Sequence, residues 1–285
     1  RDKTESGFEY NVGVNMSTIR NRMTKLNGGT PISDGPFRNG SMYLTYTNEG
    51  MPIGAFWGYK TDGLIQTQEQ LNAVKRADFQ PNAELGDVLF VDTNGDGKLD
   101  SSDRCMIGNP IPDIIYGINM GMAWKGFDLN LQFGGTIGNQ IFNAMRYYTY
   151  FPNDITNKDR ALMNYWTPNN TNTDIPRLTA TDVNDNDRFS DMYVENGTYF
   201  RLRNAQLGYT LPASLTQRIK LQKVRFYVSG QNLFTISSYS GMDPEVGQSS
   251  SLSRGIDYGI YPQNISFTGG INCLLYTSPS PRDRS

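Results

Sequence analysis

Between residues 8 and 16, apolar Phe8, Tyr10, Val12, Val14 and Met16 alternate with Glu9, Asn11, Gly13 and Asn15, a period of two that predicts a strand with one polar face. The period recurs in Tyr116, Ile118, Met120, Met122 and Trp124 against Gly117, Asn119, Gly121 and Ala123. It recurs again in Phe127, Leu129, Leu131 and Phe133 against Asp128, Asn130 and Gln132. Only Lys125 and Gly126 separate these two runs, and a two-residue link containing Gly suits a tight hairpin because Gly accepts the positive φ required there. Over residues 199–209 the phase slips. Phe200 and Leu202 share a face with Ala205, Leu207 and Tyr209 only if one residue is extra, which predicts a bulge near Arg203 and Asn204. Val224, Phe226 and Val228, then Ile265, Phe267 and Ile271, complete six predicted strands.

The links between strands are unequal. Residues 19–114, 138–197 and 237–262 are long, residues 125–126 and 211–223 are short, and the two kinds alternate strictly. Membrane barrels have short turns on one side and long loops on the other. A water-soluble sandwich shares the strand period, but connections of this length are poor candidates for compact soluble domains. The expected fold class is all-β, part of a large antiparallel transmembrane β-barrel with long extracellular loops. Residues 139–150 and 157–166 have helical spacing and predict short loop helices. Tyr147, Tyr148, Tyr150 and Phe151 fit an interfacial girdle, a sugar-stacking surface or simple packing of the loop.

Composition narrows the functions. With 37% hydrophobic residues and a mean hydropathy of −0.53, bundles of membrane helices are excluded. A membrane barrel is not, since only alternate strand residues face lipid, and 29 Gly, 17 Tyr and 14 Phe in 285 residues suit one. A net charge of −2 leaves no excess of cations to neutralise phosphates, so nucleic acid is not an expected partner. Histidine is absent, which removes Ser/His/Asp and Cys/His nucleophilic systems and the usual base near neutral pH. No carboxylate pair stands out as a glycosidase acid and base, and Gly-rich residues 134–136 and 269–271 lack a P-loop lysine. No catalytic residue is assigned. Cys105 and Cys273 give no inferable disulfide.

One segment carries ion chemistry. Asp92, Asn94, Asp96, Gly97, Asp100 and Asp103 follow the order of an EF-hand calcium loop, with Asp in place of the final Glu. A hard cation takes six to eight oxygens. Asp92, Asn94 and Asp96 supply side-chain oxygens, Lys98 its backbone carbonyl, Asp100 a direct or water-mediated contact, and Asp103 closes the shell. Residues 88–91 look extended, so the expectation is an isolated loop without flanking helices, holding a structural Ca²⁺. The alternative is a solvated Asp/Asn/Gly turn.

Taken together, DTNGDG at 92–97, IGNPIPD at 107–113 and WKGFDL at 124–129 resemble the C-terminal barrel of the SusC/RagA family of TonB-linked outer-membrane proteins. GAFWGYKTDGL at 54–64, YFRLRNAQLGY at 199–209 and GQNLF at 230–234 extend the resemblance over most of the chain. Cys105, inside the acidic segment, departs from the pattern, and no plug or TonB-contacting segment is present. The resemblance implies a segment of a transporter in the outer membrane of a Gram-negative bacterium, surrounded by outer-membrane lipid. It also implies energy-coupled import of glycans or peptides, with TonB on the periplasmic side and a SusD-like surface lipoprotein outside.

The ends add two expectations. Residues 1–10 show neither initiator Met nor apolar signal core, so any signal peptide lies upstream. Residues 273–283, CLLYTSPSPRD, read like a translated sequencing adapter. The expected division is thus residues 1–272 as the C-terminal part of a barrel and 273–285 as non-native sequence without strand pairing. Two other functions compete: a secreted, calcium-stabilised, β-rich carbohydrate-binding module and, more weakly, a glycoside hydrolase.

Overall fold

A computed structural model describes residues 2–151, 157–219, 221–247 and 250–275. Its main sheet contains six long antiparallel strands: β1 (Glu9–Thr18), β2 (Ile114–Trp124), β3 (Phe127–Ile137), β4 (Tyr199–Thr210), β5 (Leu221–Ser237) and β6 (Ser266–Leu275). They lie side by side in chain order, with the two-residue strand Asp2–Lys3 beyond β1, and the sheet is open. Strands of this length match the roughly 9–11 residues that a tilted strand needs to cross a bilayer. Among the described residues no helix is long and apolar enough to cross a membrane, which bears on helices only.

The register turns each strand's alternation into two faces, because directly paired residues point to the same side. Val12, Met120, Leu131, Ala205, Gly230 and Phe267 form one row across all six strands. Tyr10, Met122, Leu129, Leu207 and Val228 lie in the neighbouring row of the same face. Between them runs a row of Asn11, Gly121, Asn130, Gln206, Ser229 and Thr268 on the opposite face. The next row on that face holds Gly13, Asn119, Gln132, Asn204, Gln231 and Ser266. A third row on that face, Glu9, Ala123, Asp128, Gly208, Tyr227 and Gly270, adds two carboxylates, so one side of the wall is an apolar band and the other a polar surface of carboxamides, hydroxyls and a few charges, as the sequence pattern predicts. The apolar band is uncovered, with Val12 57% and Phe267 78% exposed.

Two local features keep these faces in phase. In the β2–β3 hairpin Lys125 and Gly126 both have positive φ, 46° and 88°, so the turn takes the left-handed geometry expected of its Gly. In β4 the partner of Gln132 is Asn204 and that of Phe133 is Leu202, which makes Arg203 the extra residue of the predicted bulge. On the next strand, Asn232 and Leu233 are inserted between Gln231 and Phe234. Both strands thereby resume the same outward phase.

The last strand corrects one expectation. Cys273, Leu274 and Leu275 continue β6 and pair with Val224, Lys223 and Leu221. The reason is local: β5 extends back to Leu221, so its edge offers backbone partners past Asn272, and the Ile271, Cys273, Leu275 alternation continues into them. Residues 276–285 lie outside the described residues.

Short links leave one end of the wall and three long connections, residues 19–113, 138–198 and 238–265, leave the other. The long ones fold together. The first contributes a sheet of Ile32–Phe37, Met42–Thr47, Ala55–Gly58 and Cys105–Gly108, and between the last two strands a helix, α1 (Gln68–Arg76), that Thr67 and Gln70 close with a capping box. Strand Gln140–Asn143 of the second pairs with Val194–Asn196 on one side and, in parallel, with Ile256–Asp257 of the third. The helical reading of 139–150 is therefore corrected in its first half. The helix α2 (Ala144–Tyr150) starts only where the Asn143 side chain accepts from the Arg146 amide. Residues Arg160–Asn164 form a 3-10 turn. A shared core joins Phe37, Leu44 and Phe56 to Phe142, Tyr147, Phe189 and Tyr193 and to Ile256. Tyr147 and Phe151 are buried in it, so for them the packing reading holds.

Candidate functional site

On the polar face of the wall, Arg225 of β5 reaches across β4 to Asp128 of β3, with Nε to Oδ1 at 2.9 Å and Nη2 to Oδ2 at 2.5 Å. Nη2 also donates to Gln206 at 3.1 Å. This two-pronged pair neutralises both charges near the short-turn end. Toward the long-loop end the face is set by carboxamides and hydroxyls, groups that both donate and accept.

Where wall and loops meet, Arg201 of β4 is buried. Its Nη2 donates to Asp243 at 2.6 Å, Nη1 to Glu245 at 2.8 Å and Nε to Thr235 at 2.8 Å. Burial disfavours the Asp243 charge, but the amides of Gln263 and Glu245 and the Arg201 guanidinium outweigh it and hold the carboxyl below its ordinary range. Sequence reasoning missed this cluster. Its signal is Arg201, a charged residue between Phe200 and Leu202 in an otherwise alternating strand.

The acidic loop follows strand Val88–Phe90, as the extended reading requires. Asp92 accepts from the amides of Gly95 and Gly97 at 2.6 and 2.9 Å, Asn94 from Asp96 at 2.8 Å, and Asp96 from Lys98 at 2.9 Å. Asp100 accepts from the hydroxyl and amide of Ser102, which holds its carboxyl below the usual value. Asp103 is fully buried and ties the loop's two ends, accepting from Thr93 and Asp100 amides, each at 3.0 Å. The six positions thus share one loop, and the side-chain oxygens of Asp92, Asn94, Asp96, Asp100 and Asp103 each accept from a backbone amide within it. Among the described residues no three Asp, Glu or Cys side chains gather closely enough to hold a metal ion. The donor chemistry suits a hard cation, since each carboxylate oxygen keeps a further lone pair.

A fourth feature lies in the cap of long loops. Arg38 and Asn39, at the tip between Ile32–Phe37 and Met42–Thr47, both adopt positive φ, 50° and 57°. Arg38 Nη1 donates to Asp187 at 2.6 Å and to the Tyr147 hydroxyl at 3.0 Å. Burial, with Asp187 nearby, pushes the Tyr147 hydroxyl up and keeps it protonated. These groups line an open recess of about 500 Å³ together with Asn39, Ser41, Tyr148 and Phe151.

An open antiparallel wall, apolar on one face and polar on the other, with long loops folded at one end, defines a segment of a large membrane-type β-barrel. No protein-family model matches the chain. Individual proteins do. TonB-dependent receptor P3 of Formosa agariphila is 36% identical over 284 residues, covering 95% of this chain and 27% of the receptor. TonB-dependent receptor SusC of Bacteroides thetaiotaomicron is 27% identical over 266 residues, covering 93% of this chain and 24% of SusC. The RagAB peptide transporter structure shares the fold, with a TM-score of 0.69 at 24% identity over 93% of this chain and 27% of that chain. The SusC/RagA resemblance therefore holds along nearly the whole chain, which spans 24–28% of the length of the TonB-dependent receptors it matches. These relatives are named as receptors, not enzymes.

Proposed function

We propose that the chain forms part of the wall and outer loops of a TonB-dependent importer of glycans or peptides in the outer membrane of a Gram-negative bacterium. The observation that carries this reading is the pairing of whole rows, Val12 to Phe267 apolar and Asn11 to Thr268 polar, on opposite faces of one sheet. Water-facing sheets cover their apolar side with a second layer, whereas here Val14 and Ile271 stand 68% and 61% exposed. Lipid satisfies that band. The cap of long loops faces outside, where a SusD-like lipoprotein covers it, and TonB acts from the periplasm. Uptake of labelled oligosaccharides and peptides by cells carrying or lacking the complete gene tests this. Loss of uptake on deletion supports import, while unchanged uptake of every nutrient class tried overturns it. A secreted carbohydrate-binding module would instead be recovered without detergent.

Calcium belongs to the same reading as a structural brace. Hard oxygens in ligand order at Asp92, Asn94, Asp96, Asp100 and Asp103, with the Lys98 carbonyl, support it. The ion would draw together oxygens that otherwise accept from backbone amides and from the Asn94 and Ser102 side chains.

A further inference from the structure

The outward face of β1 does not stop where the strand ends. Tyr10, Val12, Val14 and Met16 point outward at every second position, and Thr18 continues the row. The Ile19 amide donates to the Asp113 carbonyl at 3.0 Å, which carries the register one pair further. Beyond it the alternation persists: Ile19, Asn21 and Met23 are half-buried, while Arg20, Arg22 and Thr24 are exposed. The half-buried set faces the cap, since the Asn21 side chain accepts from the Ile53 amide at 2.8 Å and Met23 bonds through its backbone to Gly50 and Met51. Arg20 and Arg22 therefore extend the outward row of β1, directly above the apolar band.

Aromatic rows fix the height of these cations. Trp124, Phe127, Tyr209 and Phe226 form one outward row at the short-turn end. Met16, Tyr116, Gly135 and Phe200 form another toward the loops, where the Tyr116 and Phe133 rings both stack on Phe200. Membrane barrels carry aromatic girdles at both edges of the apolar band. Tyr116 precedes Trp124 by eight residues, which at about 3.3 Å per residue and a tilt of about 40° is about 20 Å of height. Arg20 lies four residues past Met16, about 10 Å higher, and so at the level of lipid headgroups.

The arginines within the wall are paired: Arg201 with Asp243, Arg203 with Glu245 and Arg225 with Asp128. Among the described residues neither Arg20 nor Arg22 has a carboxylate within ion-pair reach. Glu49, on the turn beside them, accepts from the Leu26 amide at 2.9 Å instead. Arg22 lays its guanidinium over Gly50, where a side-chain carbon would meet Nη2 at 3.4 Å. A guanidinium fork matches two oxygens of a phosphate and sheds water more readily than an ammonium does. Two unpaired forks at the edge of a lipid-facing band are thus placed for headgroup phosphates, with acyl chains lying on Val12, Val14 and Met16 below. We propose that Arg20 and Arg22 clamp the phosphate of an anionic lipid in the outer leaflet. The clamp rests on the import reading, which puts this rim outside, and adds to it a ligand distinct from any cargo.

The test titrates the complete transporter, purified in detergent, with diphosphoryl lipid A, with the same lipid stripped of both phosphates, and with inorganic phosphate, bound copies being counted by native mass spectrometry. Diphosphoryl lipid A is expected to bind more tightly than either control. Arg20→Gln combined with Arg22→Gln should weaken it about tenfold or more, while Arg76→Gln, a cation of α1 in the cap, should change nothing. Replacing both arginines by Lys keeps the charge and loses the fork, so its affinity should fall between the two. Heat-dependent gel migration reports whether each variant is folded, and if the glutamine variant is not, the lysine variant decides. Unchanged affinity in the folded variant, equal binding of the stripped lipid, or inorganic phosphate binding as tightly as the lipid overturns the clamp. The two readings fail differently. A parent protein recovered without detergent removes the membrane reading itself, whereas detergent-dependent, folded variants that keep full affinity remove the clamp alone.

Discussion

Arg201 in the wall and Asp243 in the last long connection form an ion pair at 2.6 Å with their side chains only 2% and 5% exposed. Asp243 also accepts from the Glu245 and Gln263 amides, at 2.8 and 3.0 Å, so one carboxylate ties both limbs of the connection to β4. Burial makes such a pair costly to break from one side, because the remaining charge is stranded.

Arg201→Met, which strands the buried Asp243, is accordingly expected to destabilise the anchored connection by about 3–5 kcal/mol, and Asp243→Asn by less, because Arg201 keeps Glu245 at 2.8 Å. Limited proteolysis within residues 238–265 reads the effect. Cleavage no faster than in the parent protein would show that the pair holds nothing in place.

The same carboxylate gives a pH dependence with a definite sign. Its pKa is depressed in the folded state, so its contribution is complete above the unfolded aspartate value of about 4 and is lost as pH falls through the lower folded value. Protease protection of the connection should be flat from neutral pH to about pH 5 and should fall in stronger acid. Asp243→Asn should abolish that acid step.

Opposite faces of β3 should tolerate charge unequally. Leu131 sits in an apolar row and Gln132 in a polar one. Leu131→Arg is expected to cost about 2–4 kcal/mol near the bilayer midplane and to impair assembly, while Gln132→Arg assembles. Heat-modifiable migration of membrane-extracted protein measures both, and equal outcomes would count against lipid on the Leu131 side.

The acidic loop yields a ligand-dependent expectation. Calcium should slow amide exchange across residues 92–103, and Asp92→Ala or Asp96→Ala should remove the effect. Exchange that is indifferent to calcium in the parent protein would leave a turn held by its own hydrogen bonds.

The core of the cap offers a packing test. Phe142 is fully buried and meets Phe37 and Phe189 edge-on, with ring centroids 5.4 and 5.0 Å away. Phe142→Ala should cost about 3–5 kcal/mol by leaving a cavity among three chain segments. Protease sensitivity should rise in more than one connection together.

The wall was legible because each strand states its own period. The two-residue hairpin at Lys125 and the extra residue Arg203 both follow from counting alternation, without knowledge of any partner. The cap was not legible. Its strands are short, and Gln140–Asn143 has apolar spacing that also suits a helix until Ile256 supplies a neighbour 114 positions after Phe142. The recess depends on Arg38 meeting Asp187, 149 residues away. In the acidic loop, residue order gave the candidate ligands, but not the preference of their oxygens for nearby amides.

The composite cap has a consequence for how the chain folds. Phe37, Leu44 and Phe56 precede their partner Phe142 by about a hundred positions, and Ile256 arrives later still. High sequence separation slows closure, because the entropy of joining distant segments is lost before their contacts form. The aromatic side chains of the first connection thus emerge long before the last segment can cover them. Completion of the cap is therefore expected late in folding, and until it occurs the chain carries an uncovered aromatic surface prone to aggregation.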